Sequence, residues 1–271
     1  MSQSILSSKI KHITKKIFSN YFKLRKYGHI QNIPLTSLQA DKQIEPELLL
    51  LENFIKKGDC CFDIGANAGQ YTFMLEKHAG SENIFSFEPI PENYASLNSI
   101  FKHCNVYSLA ISDKNGKNNF KIPIINKTLF DTRGKLDLDF LEENETSSKI
   151  IEVETITIDS FVKLKNIKKI SFIKIDVEGH ELNVLKGGVN SIKKFKPVLL
   201  IEIERRHHKF EIQVIFDFLK KLGYQIEFYD LVDHKFKSIV GLDLNEAQNI
   251  EAIKTSSYIN NFFCIPRKVQ L

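Results

Sequence analysis

Residues 60–69 read Cys60-Cys61-Phe62-Asp63-Ile64-Gly65-Ala66-Asn67-Ala68-Gly69, and the reading of this stretch decides the fold. The apolar run up to Ile64 is too short for a helix and fits a buried strand. Glycines at 65 and 69 let the chain turn tightly and let a ligand approach the backbone. The residues that follow, 70–78, have helical periodicity and stop at Gly80. A helix start leaves unpaired N–H groups beside the turn. Strand, glycine turn and helix in that order mark the place where a doubly wound sheet seats a nucleotide. An ordinary tight turn would read the same, and the run is not a full Gly-x-Gly-x-x-Gly.

Outward from this turn the hydrophobic periods alternate. Residues 45–57 predict a helix, 84–87 a strand, 91–103 a helix and 105–111 a strand. Further on, 170–177, 198–204, 225–232 and 260–266 read as strands, with helices over 181–195 and 210–222. Strands separated by helices mean βαβ units and a parallel sheet. The span 112–160 breaks the rhythm. It predicts a hairpin of strands 119–124 and 150–157 around a polar loop, 126–148. A loop of this length in a compact domain is usually functional, so it is the expected lid and specificity element.

Carboxylates cluster at the predicted strand ends. Glu88 closes the second strand in Phe87-Glu88-Pro89, where an acid holds the hydroxyls of a ribose. Asp63 and Glu88 would flank one ligand with negative charge. That suits a ligand that is cationic or lacks phosphates, and S-adenosylmethionine fits. Lys174, Asp176 and Glu178 alternate along a later strand, so all three could face one side. Lys174 is then an available counter-charge, and Asp176 sits at the carboxyl end beside the first strand. The arrangement reads either as a structural ion pair or as catalytic groups in the crevice at the topological switch point. Glu202 ends the neighbouring strand, followed by His207 and His208, which titrate near neutrality. Surface histidines are more often solvated chain, and the spacing of Asp176, Glu202 and a histidine is no metal signature.

Taken together, the chain resembles an FkbM-type S-adenosylmethionine-dependent methyltransferase. The matching residues are Asp63-Ile64-Gly65-Ala66-Asn67-Ala68-Gly69-Gln70-Tyr71-Thr72, then Phe87-Glu88-Pro89-Ile90-Pro91-Glu92-Asn93 and Ala110-Ile111-Ser112-Asp113. They continue with Thr157-Ile158-Asp159-Ser160-Phe161 and Ile173-Lys174-Ile175-Asp176-Val177-Glu178-Gly179-His180-Glu181. The resemblance runs from about residue 44 to 204. It implies an α/β, Rossmann-like class I methyltransferase fold. This is a three-layer sandwich around a mostly parallel seven-stranded sheet with an antiparallel last strand, here carrying an N-terminal helix and a hairpin insertion. It also implies that Gly65, Asn67 and Gly69 line the methionine end of the cofactor. Asp63 would brace that turn and face the amino group, and Glu88 would hold the ribose. Ala110 and Asp113 would lie against the adenine, with Asp176 beside the methyl group. An alcohol acceptor gains from a general base, and Asp176, Glu202 and His207 are the candidates, in that order. The expected reaction is O-methylation of a hydroxyl on a sugar, glycan or secondary metabolite. The alternatives are an RNA or protein methyltransferase and a non-catalytic binding protein. The chain lacks the Asn/Asp-Pro-Pro-aromatic turn of enzymes acting on exocyclic nitrogens, and a dehydrogenase would need the missing glycine.

Composition narrows the partners. The chain has 271 residues, with 38 Lys+Arg against 33 Asp+Glu. Seven of the basic residues (Lys9, Lys11, Lys15, Lys16, Lys23, Arg25, Lys26) fall in residues 1–40, which hold no Asp or Glu. The catalytic body, 41–271, is therefore slightly acidic and offers no phosphate track for nucleic acid. Cysteines 60, 61, 104 and 264 form no C-x-x-C pair and read as small buried hydrophobes in a reducing, cytoplasmic compartment. The N-terminus lacks a secretory h-region. Residues 1–40 form an amphipathic arm, with Leu6, Ile10, Ile13, Ile17, Tyr21 and Leu24 at helical spacing. Its apolar stripe would pack on the domain, on a second subunit in a homodimer, or on an anionic membrane. A liposome-binding assay on the full chain and on a version lacking residues 1–30 separates these readings: equal binding is expected of a packed arm.

Overall fold

The computed structural model describes residues 45–249 and 257–267, together with residues 23, 26–28, 30, 251 and 255. Its strands, in chain order, are β1 (Cys61–Ile64), β2 (Ile84–Phe87), β3 (Asn105–Tyr107), β4 (Ala110–Ile111), β5 (Gly116–Ile125), β6 (Thr128–Leu129), β7 (Glu145–Ile156), β8 (Phe172–Ile175), β9 (Val198–Glu202), β10 (Tyr224–Asp230), β11 (Lys235–Ser238) and β12 (Asn261–Pro266). The main sheet runs β11-β10-β12-β9-β8-β1-β2-β3. The neighbours from β3 through β9 are parallel, and β12 lies antiparallel between β9 and β10. This is the expected seven-stranded order with an antiparallel last strand. An eighth strand, β11, is added at the edge by a hairpin from β10.

The short strands alternate their side chains between two helical layers. Phe62, Ile173, Ile175, Leu199 and Ile201 join a core with helices Glu181–Gly187, Val189–Phe195 and Gln213–Lys221. Cys61, Phe172, Leu200 and Phe263 join another with helices Glu47–Leu50 and Gln70–Ala79. Alternation with period two on a sheet covered on both faces gives the three-layer sandwich. All four cysteines are free.

Several boundaries differ from the sequence expectation. The single strand expected over 105–111 is two. After Tyr107 the chain leaves the main sheet, and Ala110 and Ile111 pair instead with Thr155 and Ile156. The insertion is accordingly larger than a hairpin, a four-stranded sheet ordered β4-β7-β5-β6. The helix expected over 181–195 breaks at Gly187-Gly188, where two poor helix formers adjoin. The helix expected over 45–57 is one turn followed by the 3-10 turn Leu51–Asn53. Of the N-terminal arm, the stripe from Leu6 to Leu24 lies outside the described residues. The described arm residues pack on the domain. Tyr27 stacks on Phe73 and Phe101 and hydrogen-bonds the Ala68 carbonyl, and Lys23 pairs with Glu76 at 2.6 Å. Among the described residues no helix is long and apolar enough to cross a membrane.

Phe161 fastens the exit of the insertion to the main sheet. It sits on helix Ile158–Leu164, whose N-cap Thr157 accepts from the Ser160 N–H. Its ring lies 4.8 Å from Phe87, 5.0 Å from Tyr107 and 5.8 Å from Phe62, all edge-on. Phe161→Ala should therefore lower stability by about 3–5 kcal/mol, read as a shift of the urea midpoint, because a buried aromatic hub leaves a cavity.

Candidate active site

The site grows from the tip of β1. Gly65 has φ +83, and a Cβ there would lie 1.8 Å from the carbonyl oxygen of Asp176. Only a residue without a side chain fits this crossing. The Asp176 N–H donates to the Ile64 carbonyl at 3.0 Å, and the Gly65 and Ala66 N–H groups donate to Phe87. The tips of β8, β1 and β2 are thereby stitched together. Asn67 follows in the left-handed region, φ 40, which an Asn tolerates better than most residues. Its N–H donates to Glu88 Oε2 at 2.8 Å, and the Ile90 N–H donates to Oε1 at 2.9 Å. Glu88 is thus held in one orientation. Burial raises its pKa to about 7 against the pull of these two N–H groups.

A cavity of about 370 Å³ opens at these tips. Gly65, Asn67, Gly69, Glu88, Ala110, Asp176 and Glu202 all line it. One end is apolar, walled by Ile90, Leu109, Ile111, Phe120 and Leu136. Phe120 and the 131–136 segment come from the insertion, so the span expected to act as a lid supplies part of the wall.

The other end is carboxylate. Asp176 and Glu202 are in side-chain hydrogen-bond contact. Two carboxyls this close do not readily both stay ionised. Burial raises both pKa values, with repulsion from Glu178 and Glu45 added at Asp176 and from Asp176 at Glu202, against the pull of Lys174. Lys174 is 1% exposed and lies 3.9 Å from each carboxylate, with Asn261 Oδ1 accepting from Nζ at 2.9 Å. Burial opposes its charge, but the surrounding carboxylates outweigh it and raise its pKa. Tyr71 lies under the Lys174 ammonium and donates to Glu45 Oε2 at 2.5 Å. Glu202 is held from the far side by Asn260 at 2.7 Å. A carboxyl pair beside a fixed cation is a proton acceptor in a defined place.

Three expected residues are elsewhere. Asp63 points to the opposite side of the sheet from Phe62 and is 1% exposed. Its carboxylate accepts from Thr72 Oγ1 at 2.6 Å, so it braces helix Gln70–Ala79 and does not reach the cavity. Asp113 lies one residue beyond the wall, accepting from Ser112, whose hydroxyl meets His180 Nε2 at 2.8 Å. His207 is buried behind the wall. Its Nε2 is 2.9 Å from Glu178 and 3.5 Å from Glu204, and its Nδ1 is 3.5 Å from Glu142. Burial alone would lower its pKa, but Glu142 and Glu178 outweigh it and raise it to about 9. A covered imidazolium accepts no proton from an acceptor in the cavity. It ties the insertion, through Glu142, to the turn that follows Asp176. Glu178 has φ 53 there, and at Gly179 a Cβ would meet the His207 carbonyl oxygen at 2.3 Å.

Sequence reasoning missed Glu45, Phe120, Asp131 and His180, which also line the cavity. Of these only His180 lay inside a quoted motif.

The sequence matches the methyltransferase FkbM domain over residues 63–226. It is 29% identical over 159 residues to the hexuronic acid methyltransferase AglP of Haloferax volcanii, covering 56% of this chain and 59% of that protein. The chain thus spans less than two thirds of that relative's length. It is 22% identical over 172 residues to methyltransferase 1 of Beauveria bassiana, covering 54% of this chain and 68% of that protein. Among solved structures, the FkbM methyltransferase of Methylobacillus flagellatus superposes with a TM-score of 0.49 and 15% identity, over 86% of this chain and 48% of that one.

The His207 contacts set a pH dependence. A pKa raised from 6.5 to about 9 on folding contributes stability that is fully present below pH 6.5 and is lost as pH rises through about 9. The urea midpoint of the wild type should fall across that window, and His207→Gln should flatten the fall.

Proposed function

The chain belongs to the FkbM methyltransferase family, and we propose that it uses S-adenosylmethionine to methylate a hydroxyl group on a sugar or glycan. The observation that carries this reading is one cavity that joins an oriented, buried Glu88 to the neighbouring carboxyls of Asp176 and Glu202, backed by Lys174.

The lining fits the cofactor. Six carboxylates and no Lys or Arg line the cavity among the described residues. Such a wall repels a pyrophosphate and accepts a cationic ligand that carries an adenosine. Each Glu88 oxygen spends one lone pair on a backbone N–H and keeps another for a ribose hydroxyl. Backbone at Gly65, Asn67 and Gly69 would hold the amino-acid end. The apolar end, with Ala110, would take the adenine. S-adenosylmethionine supplies an activated methyl group, so the protein's task is to position the acceptor and receive its proton. Burial raises the pKa of both Asp176 and Glu202, which makes their carboxylates better proton acceptors than solvated ones. Lys174 holds the pair in place and limits the build-up of negative charge. A hydroxyl held in line at about 3 Å from the methyl carbon gains most of its advantage from that alignment.

The sugar acceptor draws support from AglP, whose name records a hexuronic acid substrate. The lining does not favour an RNA acceptor, because no Lys or Arg among the described residues lines the cavity.

Calorimetry tests the cofactor: S-adenosylmethionine should bind and NAD should not. Glu88→Ala should weaken the S-adenosylmethionine affinity by about 1–3 kcal/mol, the cost of lost charged hydrogen bonds. Unchanged affinity would remove Glu88 from the ribose role. Asp176→Asn should leave that affinity close to wild type and cut kcat by about 10²–10⁴. Equal turnover would make the pair with Lys174 purely structural.

A further inference from the structure

The charge of the cavity wall restricts the acceptor further than the family does. Glu45, Glu88, Asp131, Asp176, Glu178 and Glu202 face the cavity. Among the described residues, the basic groups nearby turn away from the acceptor end: Lys26, exposed, donates to the Ala68 carbonyl at 3.3 Å beside the glycine turn, and the others are paired. Lys121 pairs with Glu145 at 2.8 Å, and Lys135 and Arg133 both turn to Glu142. Arg206 pairs with Glu204, and Lys209 reaches Asp137 at 2.9 Å. Lys174 lies behind the carboxylate pair, under cover of Tyr71 and Asn261. His180 is the one wall residue able to become a cation among those described, and burial lowers its pKa, so its ring is neutral near pH 7. His207 carries charge but is walled off by the carboxylates of Glu142, Glu178 and Glu204.

We infer that the acceptor carries no carboxylate or phosphate beside its reacting hydroxyl: it is a neutral or amino-substituted glycosyl unit, in contrast to the hexuronic acid named for AglP. The inference rests on the methyltransferase reading of this cavity. Glu178 is matched by the His207 imidazolium and the Asp176–Glu202 pair by Lys174, and burial raises the Glu88 pKa to about 7. The negative charge therefore rests on Glu45, Asp131 and part of Glu88, and a cofactor with one net positive charge does not turn that wall positive. An acceptor carboxylate would enter a negative wall in which, among the described residues, no Lys or Arg lines the cavity to pair with it, and an unpaired charge taken from water is strongly disfavoured. A hydroxyl or an ammonium finds acceptors there instead. Discrimination against an anionic unit should therefore reach tenfold or more.

The full chain, with S-adenosylmethionine labelled in the methyl group, can be incubated with a total glycan extract. The labelled product is then cleaved by mild glycosidic hydrolysis and passed over an anion exchanger at neutral pH. The inference expects at least ten times more label in the unretained fraction than in the retained one. Label held on the exchanger, as a methylated uronate or phosphosugar, would overturn it while leaving the methyltransferase reading intact. No transfer to any acceptor would remove that reading and the inference together.

Discussion

The crossing of Gly65 and Asp176 is the contact on which the site depends. A side chain at residue 65 would overlap the Asp176 carbonyl oxygen, and the Asp176 N–H is already bonded to Ile64. The glycine turn after β1 and the turn that carries Asp176 are therefore joined by direct backbone contact. Neither can shift by an ångström without opening the β1–β8 junction. Close backbone packing of this kind places reacting groups more reliably than a flexible side chain does.

Around that crossing the charges are layered. Carboxylates face the cavity, and cations stand behind them. Lys174 serves the Asp176–Glu202 pair, and His207 serves Glu178 while reaching Glu142 of the insertion. Buried ion pairs seldom add much net stability, because desolvation offsets the attraction. Here their effect is geometric and electrostatic. They fix carboxylate orientations, oppose protonation of the Asp176–Glu202 pair, and dock the insertion so that Phe120 and residues 131–136 complete the wall. The aromatic cluster at Phe161 holds the other end of the insertion to β1–β3.

Much of this was legible in the sequence. Glycine spacing, short apolar runs and helical intervals are local signals, and they located the βαβ order and the residues Gly65, Gly69, Glu88, Asp176 and Glu202; Asn67 and Ala110 came from the resemblance to the FkbM family. Asp63 shows where local signals stop. It adjoins the glycine turn in sequence, but alternation along β1 sends it to the helix side, where Thr72 receives it. His207 follows Glu202 by a few residues and titrates near neutrality on its own, so it reads as a base. Two carboxylates from separate segments, Glu142 and Glu178, convert it into a charged tie. The strand expected over 105–111 likewise divides because Ala110 finds its partner in Thr155, far along the chain.

The sequence by itself determined the fold class, the order of the elements and the turn at which the site forms. Those follow from periodicity and from residue types that only certain backbone shapes accept. Tertiary structure alone decided which acids face the cavity, which are neutralised from behind, and that Glu45 and Phe120 take part. These depend on side chains distant in sequence meeting in a low-dielectric interior, where a partner a few ångströms away outweighs a residue's intrinsic chemistry.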